Sequence, residues 1–133
     1  MQVPCPTSIL QSTPKVSAVR LAKQNGCAGI CWTYNEPTIW FEYTYDCARL
    51  AKEAGLYTAY VTNGFITPEA LDTIGPYLDA WRVDIKGFSK EFYRRLAKVP
   101  DFQGILDVAV RAKEKWGMHV ETVTNVIPGW NDD

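Results

Sequence analysis

Cys31-Trp32-Thr33-Tyr34-Asn35-Glu36-Pro37 ends a short apolar run on a polar triplet. The same grammar returns at Tyr60-Val61-Thr62-Asn63-Gly64 and at Val83-Asp84-Ile85-Lys86-Gly87. Each run is short and apolar enough for a buried strand, and capped helical stretches fill the gaps. In a parallel β/α sheet the carboxyl ends of the strands all point to one face, where ligands bind. A carboxylate, two amides and a lysine therefore meet on one rim, although Asn35 and Lys86 lie 51 positions apart.

Outward from these motifs the chain reads as a β/α series. Residues 1–13 carry prolines and scattered Ser/Thr without periodicity and are expected to be irregular. Thr13-Pro14 is a cap-then-proline helix start, and Gly26 is the stop. Strands are predicted at 28–33, 56–61, 80–85 and 118–127. A helix is expected from 39 to 54, closed by Gly55. Thr67-Pro68-Glu69 opens a short helix ended by Gly75-Pro76, Ser89 caps another, and a last one runs from Gln103 to Trp116 before Gly117. That order demands crossover connections and hence parallel strands. The expected fold is α/β: a partial (β/α) barrel domain over 14–133. With 133 residues the chain is too short for a complete eight-stranded barrel, which takes about 250.

Composition narrows the partners. The formal charge is −1, which predicts no attraction to nucleic acid or to an anionic membrane surface. No run of eighteen apolar residues and no basic-then-apolar leader is visible, so neither a span nor a signal peptide is expected, and a cytoplasmic location follows. Several aromatics (Trp32, Tyr34, Trp40, Phe65 and Phe88) fall beside strand ends, where they can wall a pocket. Cysteines stand at 5, 27, 31 and 47. Cys27 and Cys31 make a CxxxC, but a CxxxCxxC cluster loop would need its third thiol at 34, which is Tyr. Both flank or occupy an apolar strand and are expected to be packing thiols, as is Cys47 on a helix.

Each rim residue admits a structural and a functional role. Glu36 suits a loop carboxylate or helix cap, and equally a group that holds an ammonium. Asn35 and Asn63 suit turns that bond their own backbone, or the orientation of a polar ligand. Lys86 suits a surface ammonium or the partner of a substrate carboxylate, with Asp84 beside it on the inward face. Gly64, Gly87 and Gly129 permit close backbone approach or positive φ.

In order and spacing, Tyr34-Asn35-Glu36-Pro37-Thr38, Val61-Thr62-Asn63-Gly64-Phe65, Asp84-Ile85-Lys86-Gly87-Phe88 and Val126-Ile127-Pro128-Gly129-Trp130-Asn131-Asp132 resemble the radical SAM superfamily. Within it they are most similar to the branch of pyruvate formate-lyase activating enzymes and its AmmeMemoRadiSam-system group. The resemblance covers about residues 14–133. It implies a TIM-type barrel in which S-adenosylmethionine and a [4Fe–4S] cluster generate a 5′-deoxyadenosyl radical for a protein or small-molecule substrate. It implies that the family's GGEP motif corresponds to Tyr34-Asn35-Glu36-Pro37, binding the methionyl amine through Asn35 and Glu36. It further places Thr62, Asn63 and Gly64 against the cofactor and pairs Lys86 with the methionine carboxylate. Along the fifth family strand, Glu121, Thr124 and Asn125 would approach the adenosine. The activating enzymes carry an Asp just before TNG; here Val61 stands there and that ligand role is absent. The three-cysteine loop that holds the cluster through soft thiolates is also missing. No cluster is expected in the chain as given, which resembles an interior piece of a longer enzyme with sheet edges open to self-association.

Two rivals accompany this expectation. A barrel glycoside hydrolase would use Glu36 as acid/base and needs a second carboxylate about 5 Å or 6.5–9.5 Å away, for which Glu121 and then Asp84 are the candidates. It leaves Thr62-Asn63-Gly64, Lys86 and Pro128-Gly129 without a role. The other rival is a non-catalytic βα module.

Overall fold

The computed structural model describes residues 14–132, so the irregular segment expected at 1–13, the Thr13 cap and Cys5 lie outside the described residues. The chain runs through α1 (Pro14–Gln24), β1 (Gly29–Trp32), a 3₁₀ turn (Pro37–Trp40) that leads into α2 (Phe41–Glu53), and β2 (Tyr57–Thr62). Next come α3 (Pro68–Ile74) with a 3₁₀ extension (Gly75–Tyr77), then β3 (Ala80–Asp84). A single turn, α4 (Lys90–Phe92), continues as a π-helical stretch (Tyr93–Ala97), and α5 (Gln103–Glu114) and β4 (His119–Val123) complete the series. The strands form one sheet in the order β1-β2-β3-β4, with every pair parallel. Sequential neighbours joined by helices make a segment of a β/α barrel.

The boundaries follow local chemistry. Thr67 and Ser89 cap α3 and α4 by accepting from Ala70 N (3.2 Å) and Phe92 N (3.1 Å). Pro37 and Pro68 stand in the first helical turn, where no amide donor is missed. Two expectations need correction. The helix expected from 39 starts instead as a 3₁₀ turn at Pro37, because the Glu36 side chain caps Thr38 N there. The last strand ends at Val123 rather than 127, since β3 ends at Asp84 and offers no further ladder. Beyond Val123, Thr124 turns its hydroxyl onto the Ile85 carbonyl (2.7 Å).

All the helices lie toward one face of the sheet. Tyr60, Trp81 and Val83 point that way into a core with Leu71, Ile74, Ile105, Val108, Ala112 and Met118. A smaller cluster joins Ala22, Ala51 and Leu56 to Ile30 and Val19. Tyr60 and Trp81 stack at 5.7 Å between centroids, an arrangement worth about 1 kcal/mol beyond the area it buries. Alternation sends Cys31, Ala59, Arg82 and Glu121 to the opposite face, where Cys31, Arg82 and Glu121 are exposed. That uncovered face is the inner face of the barrel arc.

At the amino ends of the strands Asp79 fastens three of them. Its amide donates to Thr58 O and its carbonyl accepts from His119 N, each at 2.9 Å. Its carboxylate accepts from Thr58 N (2.9 Å) and Lys52 Nζ (2.6 Å). At the other end Gly64 turns the chain out of β2 with φ +79°, and a Cβ there would lie 2.6 Å from Ile105 Cγ2 and 2.9 Å from Val83 Cγ2.

Two stability predictions follow from these ends. Gly64→Ala combines backbone strain with overpacking and is expected to cost roughly 2–3 kcal/mol, read from the urea midpoint. Asp79→Ala is expected to cost about 2 kcal/mol at pH 7. Partial burial opposes ionisation of Asp79, yet Lys52 and the Thr58 donors outweigh it and hold the carboxyl below its ordinary 3.8. Its contribution is therefore complete above about pH 4 and is lost as pH falls through the folded-state value. The gap between parent and Asp79→Ala should narrow in denaturation curves below pH 4; a gap that widens there would refute the assignment.

Candidate functional site

The rim at the carboxyl ends of the strands is organised by one carboxylate. Glu36 sits in extended backbone (φ −62°, ψ 116°), as a residue before proline prefers. Its Oε1 accepts from Thr38 N (3.3 Å), Thr38 Oγ1 (2.9 Å) and Thr62 Oγ1 (2.7 Å). Its Oε2 accepts from Asn63 N at 2.7 Å. Thr62 is buried and relays the clamp by accepting from Gly64 N (3.0 Å), while Asn63 Oδ1 turns back onto Phe65 N (2.9 Å). Glu36 thus joins the β1 exit to the β2 exit. A carboxylate has about four acceptor positions, and among the described residues Oε2 takes a single hydrogen bond.

Beside it opens a cleft of about 340 Å³ whose wall includes Asn35, Glu36, Thr62, Asn63 and Asp84. Four of the six residues singled out from sequence line it. Asn35, Glu36, Thr62 and Asn63 belong to the wall, whereas Gly64 is buried and its missing side chain makes room for Ile105 and Val83 in the core rather than for the cleft. Lys86 stands one step away and reaches the cleft through Asp84, whose Oδ2 takes its Nζ at 2.8 Å. Its backbone is fixed on both sides: Lys86 N donates to Tyr93 Oη (3.0 Å), and Lys86 O accepts from Asn131 Nδ2 (2.6 Å).

One contributor escaped the sequence reading, and another was read only as the partner of Lys86. Asn131, in the Pro128-Gly129-Trp130-Asn131 turn, ties that turn to the β3 exit and also donates to Asn125 O (2.8 Å). Asp84 is part of the cleft wall as well as the partner of Lys86. Motif order marked both segments, but only the folded register shows that they touch. Thr124 caps the Ile85 carbonyl, and Glu121 faces Arg82 at 3.8 Å on the open inner face.

The cysteines require a correction. Cys47 is buried as expected, but Cys27 and Cys31 are exposed. Cys27 precedes β1 in a turn, and Cys31 alternates with Ile30 and Trp32, which take the helix side. Burial nevertheless pushes the Cys31 thiol up, with Arg82 opposing. Cys27 lies before β1 and Cys31 within it, while Cys47 is buried on α2. Among the described residues no set of three or more His, Cys, Asp or Glu is placed to hold a metal. The described residues therefore do not fit an iron–sulfur cluster, whereas the cleft, with carboxylates in its wall, fits a small polar ligand. None of the described helices is long and apolar enough to cross a membrane.

Comparison with known proteins agrees with this architecture. The fold is similar to a domain of pyruvate-formate lyase-activating enzyme from Bacteroides vulgatus, with TM-score 0.67 and 20% identity over 80% of this chain and 65% of that one. It is also similar to archaeal TYW1, with TM-score 0.59 and 15% identity over 99% of this chain and 52% of that one. In sequence it is 35% identical over 123 residues to an uncharacterized protein of Methanocaldococcus jannaschii, a match covering 92% of this chain. The chain spans about a third of that relative's length, 35%. The family model of the radical SAM superfamily matches residues 15–133, nearly the whole βα series and all four rim motifs, and the chain belongs to that superfamily.

Proposed function

We propose that this chain is the S-adenosylmethionine-binding core of a radical enzyme of the activating-enzyme type. The observation that carries this is the charge layout of the 340 Å³ cleft: Glu36 in its wall, whose Oε2 takes a single hydrogen bond among the described residues, and the Lys86–Asp84 pair at its border. An amino-acid headgroup offers an ammonium to the first and a carboxylate to the second. Asn35 and the Asn63 side chain supply further donors and acceptors, Thr62 fixes Glu36, and Gly64 sets the turn that carries Asn63. Lys86 must share its ammonium between Asp84 and the ligand. Its pair with Asp84 is about one-third exposed on each side, and such pairs are worth little, so exchange is inexpensive.

S-adenosylmethionine beside a reduced [4Fe–4S] cluster supplies reductive cleavage of its sulfonium. Because the described residues furnish no cluster ligands, that chemistry is proposed for a protein of the relative's length, and ligand binding for this chain. An oxidoreductase acting in the cytoplasm on a protein or small-molecule substrate completes the proposal. Among the described residues β1 and β4 are the edge strands, which give self-association a route, since unpaired strand edges accept further strands.

Calorimetric titration of S-adenosylmethionine into the parent chain and into Lys86→Met tests the site. The methionine keeps the aliphatic stem and removes the charge, and a roughly tenfold loss of affinity is expected, as for one charge-assisted contact. Equal affinity would remove Lys86 from the site. Absence of binding to a folded parent would favour the non-catalytic βα module. Anaerobic reconstitution with iron and sulfide is expected to leave the chain without a stoichiometric cluster. Near four irons per chain, abolished by replacing Cys27 and Cys31, would overturn that.

A further inference from the structure

We infer that Tyr93 and Asn131 are positioning residues that act through Lys86. They fix the backbone from which its ammonium meets the carboxylate of S-adenosylmethionine, an assignment that rests on the ligand proposed above. The first observation is where the ladder stops. β3 and β4 pair as far as Asp84 and Val123. Ile85 adds one bond on each side, its amide donating to Val123 O (3.0 Å) and its carbonyl accepting from Thr124 Oγ1 (2.7 Å). Lys86 lies beyond that point. Its ammonium stands on a flexible four-carbon stem, so the places it can reach depend on where the backbone is held.

The second observation is what holds it. Two side chains, 7 and 45 positions further along, take over from the ladder. Tyr93 Oη accepts from Lys86 N (3.0 Å), and Asn131 Nδ2 donates to Lys86 O (2.6 Å). Neither is free to adapt. Tyr93 is 1% exposed, with its ring stacked on Phe102 at 5.3 Å between centroids and edge-on to Phe92. A phenol so enclosed needs a hydrogen-bond partner, and the Lys86 amide is one. Asn131 also donates to Asn125 O (2.8 Å) and accepts at Oδ1 from Ile127 N, which fixes the plane of its amide.

The two anchors are joined to each other. Tyr93 opens the π-helical stretch, and Arg95 of that stretch places its guanidinium 5.0 Å from the ring centroid of Trp130, the neighbour of Asn131. Lys86 is thus gripped at both backbone groups by one connected frame, and its freedom is confined to the side chain. Neither Tyr93 nor Asn131 lines the 340 Å³ cleft, so their effect on a ligand there runs through Lys86. Misplacement by about an ångström is enough to weaken a positioned contact.

The experiment titrates S-adenosylmethionine and its decarboxylated analogue, which keeps the ammonium and the sulfonium, into six proteins. They are the parent, Tyr93→Phe, Asn131→Ala, Lys86→Met, and the two double variants that combine Lys86→Met with each of the others. Tyr93→Phe and Asn131→Ala should each lose about fivefold in affinity for S-adenosylmethionine and nothing for the analogue. On the Lys86→Met background neither substitution should cost anything more. Equal losses for the two ligands, or the same loss with and without the Lys86 ammonium, would mean a general loosening of the rim and overturn the inference. Asn131→Ala, in a surface turn, decides the matter if the buried Tyr93→Phe fails to fold. A weakened Lys86→Met beside unaffected Tyr93→Phe and Asn131→Ala sinks this inference alone. A Lys86→Met that binds like the parent, or a parent that binds neither ligand, overturns the proposed site and this assignment with it.

Discussion

The rim depends on the carboxylate of Glu36. Parallel strands are held side by side by their ladders, but the ladder between β1 and β2 ends at Trp32 and Tyr60. Above that level the two exit loops would be independent. Glu36 removes that freedom by accepting from Thr38 on its own side and from Thr62 and Asn63 on the other. One ionised group thereby sets the start of the 3₁₀ turn, the path of the Thr62-Asn63-Gly64 turn and the width of the cleft. A charged acceptor suits this work because its hydrogen bonds are stronger than those of an amide or hydroxyl.

A second constraint is the one-sided burial of the sheet. Tyr60, Trp81 and Val83 anchor the strands to the helices, so the alternate positions must face away. Those positions hold Cys31, Ala59, Arg82 and Glu121, a mixed and partly charged set that would be a poor core. Arg82 and Glu121 are directly opposite in register and half-exposed at 3.8 Å, a spacing that contributes little to stability. On the outside, by contrast, Arg111 grips both oxygens of Asp72 (2.8 and 2.5 Å) while Lys115 and Trp116 add donors. The hydrogen bonds from Arg111, then from Lys115, hold the Asp72 carboxyl well below the usual range. On the helix side the Asp72 carboxylate is thus fully engaged while the buried Trp81 Nε1 has no partner among the described residues, and on the inner face Arg82 and Glu121 face each other at the long spacing of 3.8 Å.

Much of the fold was legible because helices and strands here obey local rules. Thr67-Pro68 and Ser89 announce their caps, Gly55 and Gly117 take the positive φ that ends helices α2 and α5, and apolar runs of strand length lie between. Rim motifs were legible for the same reason: they follow the strands. What stayed hidden depends on tertiary distance. The early 3₁₀ start at Pro37 is set by a side chain that also reaches Thr62, 26 positions later. The short β4 reflects the length of its neighbour, not its own sequence. Cys31 was misassigned because an apolar strand does not say which face its thiol takes; only the pairing of Ile30 and Trp32 with the helices decides that.

The two ends of the sheet divide the labour between stability and binding. At the amino end, Asp79 uses its amide, carbonyl and carboxylate to join three strands, and each group there has a partner. At the carboxyl end, among the described residues, Oε2 of Glu36 takes a single hydrogen bond and Lys86 is engaged by a pair that exchanges easily. A chain selected for stability alone would bury the rim polar groups in mutual bonds. Stability gathered at one end allows incomplete satisfaction at the other, and that incompleteness is what a ligand can fill.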